Sequence, residues 1–202
     1  FIAVRKTYAT AYESFSGDVS ISLEAFPQAI TAFVDENSEN GKRAQAIAAG
    51  LFDLVETPEQ VLSGRINDPS RKHPGDVCVV SLNDDAVFEK AMEVRDKPVK
   101  ESDAFVFAGA CLRFGITDVA ILMVSSRQPK LDENALSAWA EKRGISFRLY
   151  YGWEDIMSEA LFWGATPMRP AVSLVISLIE NRLREVEISN EGYDLWRQTF
   201  RA

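Results

Sequence analysis

Leu23, Phe26, Ile30 and Phe33 recur at three- and four-residue intervals, so residues 22–34 read as an amphipathic helix. A polar break from Asp35 to Gly41 leads into a second helical stretch, Lys42–Val55, with Ala46, Ala49 and Leu51 apolar. Thr57-Pro58-Glu59 carries a helix-start signal, proline suiting the first turn. Between Gly64 and Gly75 the chain collects Gly, Pro, Asn, Asp and Ser, a loop composition. The pattern then changes. Val77–Leu82 and Phe88–Lys97 read as strands joined through Asn83-Asp84-Asp85, a hairpin turn. Ser102–Phe114 is an apolar helix stopped by Gly115, and Val119–Ser125 is continuously apolar, as in a strand covered on both faces. Glu133–Arg143 is a helix stopped by Gly144, Ile145–Tyr151 a further strand, and Trp153–Phe162 and Pro170–Val186 are helices. The first four residues, Phe1-Ile2-Ala3-Val4, suit either a strand or a truncated helix end.

That order predicts an α/β fold: a mixed sheet built from a strand hairpin followed by helix-strand-helix-strand, flanked by helices on both faces. Residues 1–40 are expected to form an N-terminal helical extension and residues 41–202 one compact α/β unit. No internal repeat or low-complexity segment interrupts this plan. A start at Phe1 rather than Met points to a processed, trimmed or C-terminal piece of a longer protein.

Charge alters the picture only locally. The net charge is −8, a poor match for a polyanionic partner. Yet residues 1–60 carry 4 basic and 9 acidic side chains, residues 61–130 carry 10 of each, and residues 131–202 carry 8 and 11. The middle third is least negative, and Arg65, Arg71, Lys72 and His73 crowd into it opposed only by Asp68. Such a run serves either as a phosphate-facing stretch or as a solvated loop. Cys78 and Cys111 fall in apolar segments and read as reduced core residues of a cytosolic protein. His73 is the single histidine, which excludes His₂ and His₃ metal sites and argues against a Ser-His-Asp hydrolase. Gly-rich phosphate loops, Walker motifs and zinc-spaced cysteines are absent from the sequence. No apolar run reaches the roughly 18 to 20 residues needed to span a bilayer, and no signal peptide is visible.

The candidate chemistry lies on the hairpin. Asp76 opens one strand, in His73-Pro74-Gly75-Asp76-Val77-Cys78. Glu93 sits within the next, in Ala91-Met92-Glu93-Val94-Arg95-Asp96-Lys97-Pro98. Carboxylate oxygens are hard ligands for Mg²⁺, which accepts one or two of them together with substrate phosphate oxygens. The ion then acidifies water and neutralises charge on a leaving oxygen. The same two acids have a plainer reading, Asp76 ending a turn and Glu93 pairing with Arg95 or Lys97 on an edge strand.

An acid, a strand-turn-strand, acid-x-base, then helix, strand, helix and strand together resemble the PD-(D/E)xK nuclease superfamily. Pro74-Gly75-Asp76 matches the first half of its motif and Glu93-Val94-Arg95 the second. The run Glu93 to Val99 resembles, more narrowly, type II restriction endonucleases of the SacI kind. The resemblance covers roughly residues 40–165. It implies a restriction-endonuclease-like fold, with Asp76 and Glu93 as Mg²⁺ ligands and the Val94 carbonyl as a backbone ligand. It further implies hydrolysis of double-stranded DNA at a specific site, a palindromic site being matched by a homodimer, or the chain being part of a larger one, in a bacterial cytoplasm. Arg95 departs from the usual lysine. It keeps the positive charge but is never deprotonated, so it suits a phosphate ligand and not a general base. Lys97 is the substitute: on a continuous strand Glu93, Arg95 and Lys97 share a face, neighbours being roughly 6 to 7 Å apart.

Several further residues have two readings each. Asp53 and Glu56 offer another metal contact or a solvated helix end. Lys42 and Arg43 offer a DNA-backbone contact at a helix start. His73 offers a phosphate or base contact or a surface-loop position. Arg127 and Gln128, after the central strand, are side chains that read guanine and adenine edges, and equally common loop residues. Trp153, Phe162 and Trp163 are spaced like a helix core stripe. Val172, Val175, Ile176 and Ile179 suit a dimer interface or core packing. The rival to an enzyme is a degenerate nuclease fold that only binds DNA or a protein within a larger DNA-processing protein. A third possibility is an acidic protein-interaction module.

Overall fold

A computed structural model describes residues 21–63 and 73–200. Helix α1 spans Phe26–Glu36, a single 3₁₀ turn Glu39–Gly41, and α2 Lys42–Val55. Strands β1 (Val61–Ser63), β2 (Val77–Ser81) and β3 (Asp84–Arg95) follow, then α3 (Glu101–Leu112), β4 (Asp118–Met123), α4 (Glu133–Glu141) and β5 (Ser146–Tyr151). The described chain ends with α5 (Trp153–Trp163), α6 (Met168–Glu185) and α7 (Asn190–Phe200).

The five strands lie in sequence order. β1, β2 and β3 are antiparallel neighbours, whereas β3, β4 and β5 run parallel. Parallel neighbours need a crossover, and α3 and α4 supply the two of them. Alternation of side chains divides the sheet into two apolar faces. Val77, Met92, Leu122 and Tyr150 point into a cluster made with α1, α2, α5, α6 and α7. Cys78, Ala91, Val119, Ile121 and Met123 point the other way, onto α3 and α4. This is the expected α/β architecture with helices on both faces. Gly115 and Gly144 take φ of 76° and 64° just past α3 and α4, the left-handed conformation that ends a helix cheaply at glycine.

Four details depart from the sequence reading. Thr57-Pro58-Glu59 starts no helix. Gln60 closes a turn there through its N–H to the Thr57 carbonyl (2.9 Å), and Val61–Ser63 instead pair with Val79–Val77 of β2. β3 begins at Asp84, and register irregularities opposite Val79–Ser81 absorb its extra residues. It also stops at Arg95, so Lys97 sits in a bend and not on the strand face of Glu93. Phe162 and Trp163 are not core: they are 66% and 69% exposed, because the buried stripe of α5 is Trp153, Ile156, Met157, Ala160 and Leu161. Finally, α7 was not foreseen, though Tyr193, Trp196 and Phe200 carry the helical spacing and are buried.

Helix α1, placed by sequence in an extension, shares the first cluster. Phe33 meets Trp196 edge-on at 5.1 Å and Phe26 meets Phe200 at 5.9 Å. The stripe Val172, Val175, Ile176 and Ile179 lies fully within that cluster, so core packing, not a dimer interface, accounts for it. No single helix among the described residues is long and apolar enough to cross a membrane.

Candidate active site

The β2–β3 register pairs Val77 with Met92, so one step further Asp76 faces Glu93 across the two strands. Opposite residues of an antiparallel pair point to the same face. Both carboxylates therefore rise on the side of α3, where Cys78 and Cys111 also lie. Two local features carry the chain to this position. A Cβ on Gly75 would meet the Met92 carbonyl oxygen at 2.7 Å, so only glycine lets the backbone before Asp76 lie against β3. The Val94 N–H then donates to Asp76 Oδ2 at 2.8 Å, fixing the carboxylate beside the strand. The N–H and carbonyl of one strand residue face the same edge. The Val94 carbonyl is thus turned toward Asp76 as well.

Glu93 forms an ion pair with Arg95, whose side chain is about half exposed while that of Glu93 is 16% exposed. Burial and the nearby Asp76 push the Glu93 carboxyl up to about 7, against the pull of Arg95. Burial also raises Asp76, offset by the Val94 hydrogen bond and the Arg95 charge. Two acids that resist ionising together, facing each other at a strand end, form a donor set that a divalent cation satisfies. Hard carboxylate oxygens with a convergent backbone carbonyl fit Mg²⁺ in kind. Among the described residues no group of three or more His, Cys, Asp or Glu is gathered for a metal, so the site rests on the pair. Cys78 and Cys111 are free and buried, and burial pushes both thiols up to about 12, leaving them protonated beneath the carboxylates.

The other sequence candidates fall in three places. Lys97 and Arg127 are exposed near the ends of β3 and β4 that also carry Arg95. His73 precedes Asp76 with its ring edge-on to Phe88 at 6.1 Å. Gln128 is turned inward: its amide accepts from the Val99 N–H (2.6 Å) and donates to the Val99 carbonyl (3.0 Å), pinning the segment after β3. Arg65, Arg71 and Lys72 lie outside the described residues.

Neither early acid reaches the pair. Asp53 is buried and held bidentately by Arg182, at 2.7 Å from Nε and 2.5 Å from Nη2, and Glu56 pairs with Lys90 at 2.6 Å. Arg43 is buried between Glu36 and Glu39, and Lys42 donates to the Glu187 carbonyl at 2.8 Å. Sequence reading missed Gln45. This buried α2 side chain donates through Nε2 to the Asp76 carbonyl at 2.9 Å. A lone polar residue on an otherwise apolar helix face was its only signal.

The chain is similar to the type II restriction enzyme SacI of Streptomyces achromogenes, 27% identical over 187 residues. The match takes in 92% of this chain and 50% of that enzyme, so the chain spans about half the length of the curated relative it matches. This likeness bears out the resemblance to SacI-like restriction endonucleases, and the PD-(D/E)xK motif is consistent with it. No protein-family model matches.

Proposed function

We propose that this chain is a restriction-endonuclease-like nuclease that uses Mg²⁺ to hydrolyse phosphodiester bonds of double-stranded DNA at a specific site. The observation that carries the reading is Asp76 facing Glu93 across the β2–β3 pair, in a chain similar to a type II restriction enzyme. Asp76 and Glu93, with the Val94 carbonyl, would hold the cation. When bound, Mg²⁺ supplies Lewis acidity toward phosphate oxygens and acidifies water.

The chain's own residues do the rest. The Val94 N–H keeps Asp76 oriented. Glu93, raised to about 7 by burial and Asp76, would have to be ionised to hold a cation. Arg95, paired with Glu93 here, would be free to turn to a phosphate oxygen, where a charge-assisted hydrogen bond strengthens as charge builds in the transition state. Lys97, Arg127 and His73 would meet the DNA strand; Arg65, Arg71 and Lys72, proposed from the sequence for the same contact, lie outside the described residues. Gln128 acts by holding Val99. A palindromic site calls for a two-fold homodimer or a larger chain. The enzyme would work in a bacterial cytoplasm.

The test is plasmid cleavage with Mg²⁺ or EDTA, beside Glu93→Ala and Asp76→Asn. Discrete fragments that require Mg²⁺ and disappear in both variants are expected. A second reading, a binding-only nuclease fold, draws on the Arg95–Glu93 ion pair and the missing motif lysine. Intact plasmid with DNA affinity that ignores divalent cations would favour it over the enzyme.

A further inference from the structure

We infer that Gln45 of helix α2 is a positioning residue for the cation-holding carboxylate Asp76, an inference that rests on the nuclease reading above. Asp76 precedes the first β2–β3 ladder pair, Val77 with Met92, so the sheet alone does not fix it. Three contacts do. Two come from β3: the Val94 N–H on its carboxylate, and the Met92 carbonyl against the bare Cα of Gly75. The third comes from another layer, the Gln45 amide on its backbone carbonyl at 2.9 Å, made by a side chain only 3% exposed.

The helix behind Gln45 has little freedom to move. A Cβ on Gly50 would lie 2.6 to 2.8 Å from side-chain and backbone atoms of Ile179, so α2 and α6 approach to backbone contact there. One turn on, Arg182 of α6 grips Asp53 and also donates to the carbonyls of Pro58 (3.1 Å) and Val61 (3.0 Å). Gln45 therefore ties the position of one carboxylate to a helix held by close backbone packing and by the Arg182 bonds. Its amide suits this task because only a donor satisfies a buried carbonyl; an apolar side chain of equal size removes the side-chain donor that the described residues give it. Without the donor, Asp76 loses a contact that, among the described residues, holds it independently of β3, and its separation from Glu93 is less firmly set. Partners that orient ligands in this way are worth about 10- to 100-fold in metal affinity.

The experiment is Mn²⁺ binding by the whole chain, read as free-ion electron paramagnetic resonance, with no DNA and no turnover. Gln45→Met keeps length and removes the donor; Ile176→Val serves as a core variant with a comparable loss of melting temperature. Gln45→Met is expected to bind Mn²⁺ about 10- to 100-fold more weakly than wild type, with Ile176→Val unchanged. If Gln45→Met does not melt cooperatively, Gln45→Asn, whose amide falls one methylene short, takes its place with the same expected loss. Wild-type affinity in the folded Gln45 variant would overturn the inference and leave the nuclease reading intact. A wild-type chain that binds no Mn²⁺ would instead overturn the nuclease reading, and this inference with it.

Discussion

At the scale of single residues, the Glu93–Arg95 pair sets the charge state of the proposed cation site. Glu93 has its folded-state pKa raised above the ordinary carboxylate value to about 7. The native state therefore holds the proton more tightly than the unfolded chain between those two values. Stability from this group is fully present below the ordinary value and is lost as pH rises through about 7. Glu93→Gln is accordingly expected to raise the metal-free melting temperature at pH 8 and change it little at pH 4. Thermal denaturation at the two values checks this, and an equal shift at both would contradict it. Arg95 was legible as a departure from the motif lysine, and its pairing with Glu93 as one of two options beside Lys97; the strand pattern alone did not choose between them. Truncating it should separate its two roles. Arg95→Ala is expected to cut the cleavage rate about 10²- to 10³-fold, as loss of a single transition-state donor does. The same change should tighten Mn²⁺ binding by freeing Glu93. Arg95→Lys should keep most of the rate; single-turnover cleavage of plasmid would decide.

At the scale of elements, the legible parts were those with strong periodicity. Helix α2 was read with the bounds it has, and the parallel strands β4 and β5 to within a residue or two, because a long apolar run or stripe leaves few alternatives. Thr57-Pro58-Glu59 misled because a helix-start signal is local, whereas β1 forms through pairing with residues 77–79. Phe162 and Trp163 misled because apolar character says nothing about which side of a helix is covered. The polar contacts were least legible: Gln45 on Asp76, Gln128 on Val99 and Arg182 on Asp53 each join segments far apart in sequence. Two of the close contacts give sharp expectations. Gly75→Ala forces a Cβ against the Met92 carbonyl and should cost about 1 to 3 kcal/mol of stability while lowering cation affinity. Arg182→Ala leaves Asp53 buried without its cation and should cost about 3 to 5 kcal/mol. Urea denaturation of each variant measures both; a Gly75→Ala protein as stable as wild type would mean that β2 shifts freely against β3.

At the scale of the whole molecule, the proposed function asks a protein of net charge −8 to approach a polyanion. The exposed cations Arg95, Lys97 and Arg127 sit at one end of the parallel strands, but the carboxylate pair lies among them. DNA binding is therefore expected to strengthen at least about tenfold when Ca²⁺ replaces EDTA, and to fall steeply with added salt in both cases. Fluorescence anisotropy of a labelled duplex over a salt series checks this, and affinity indifferent to Ca²⁺ would count against a shared cation site. The layered α/β plan was legible in the order of elements; the central place of α6 was not, because its partners precede it by most of the chain. Asp53 and Arg182 are 129 residues apart, and Arg182 also caps the carbonyls that lead into β1. During synthesis, then, the helix that steadies Asp76 waits for its counterpart until α6 has left the ribosome. A nascent chain halted before Met168 would carry both acids yet lack the frame that aligns them. On the proposed reading, the acid pair would be aligned only after α6 has been made. Stalled chains ending near residue 165 should accordingly show no cooperative protection of α2 from proteolysis, and chains extended past residue 185 should gain it.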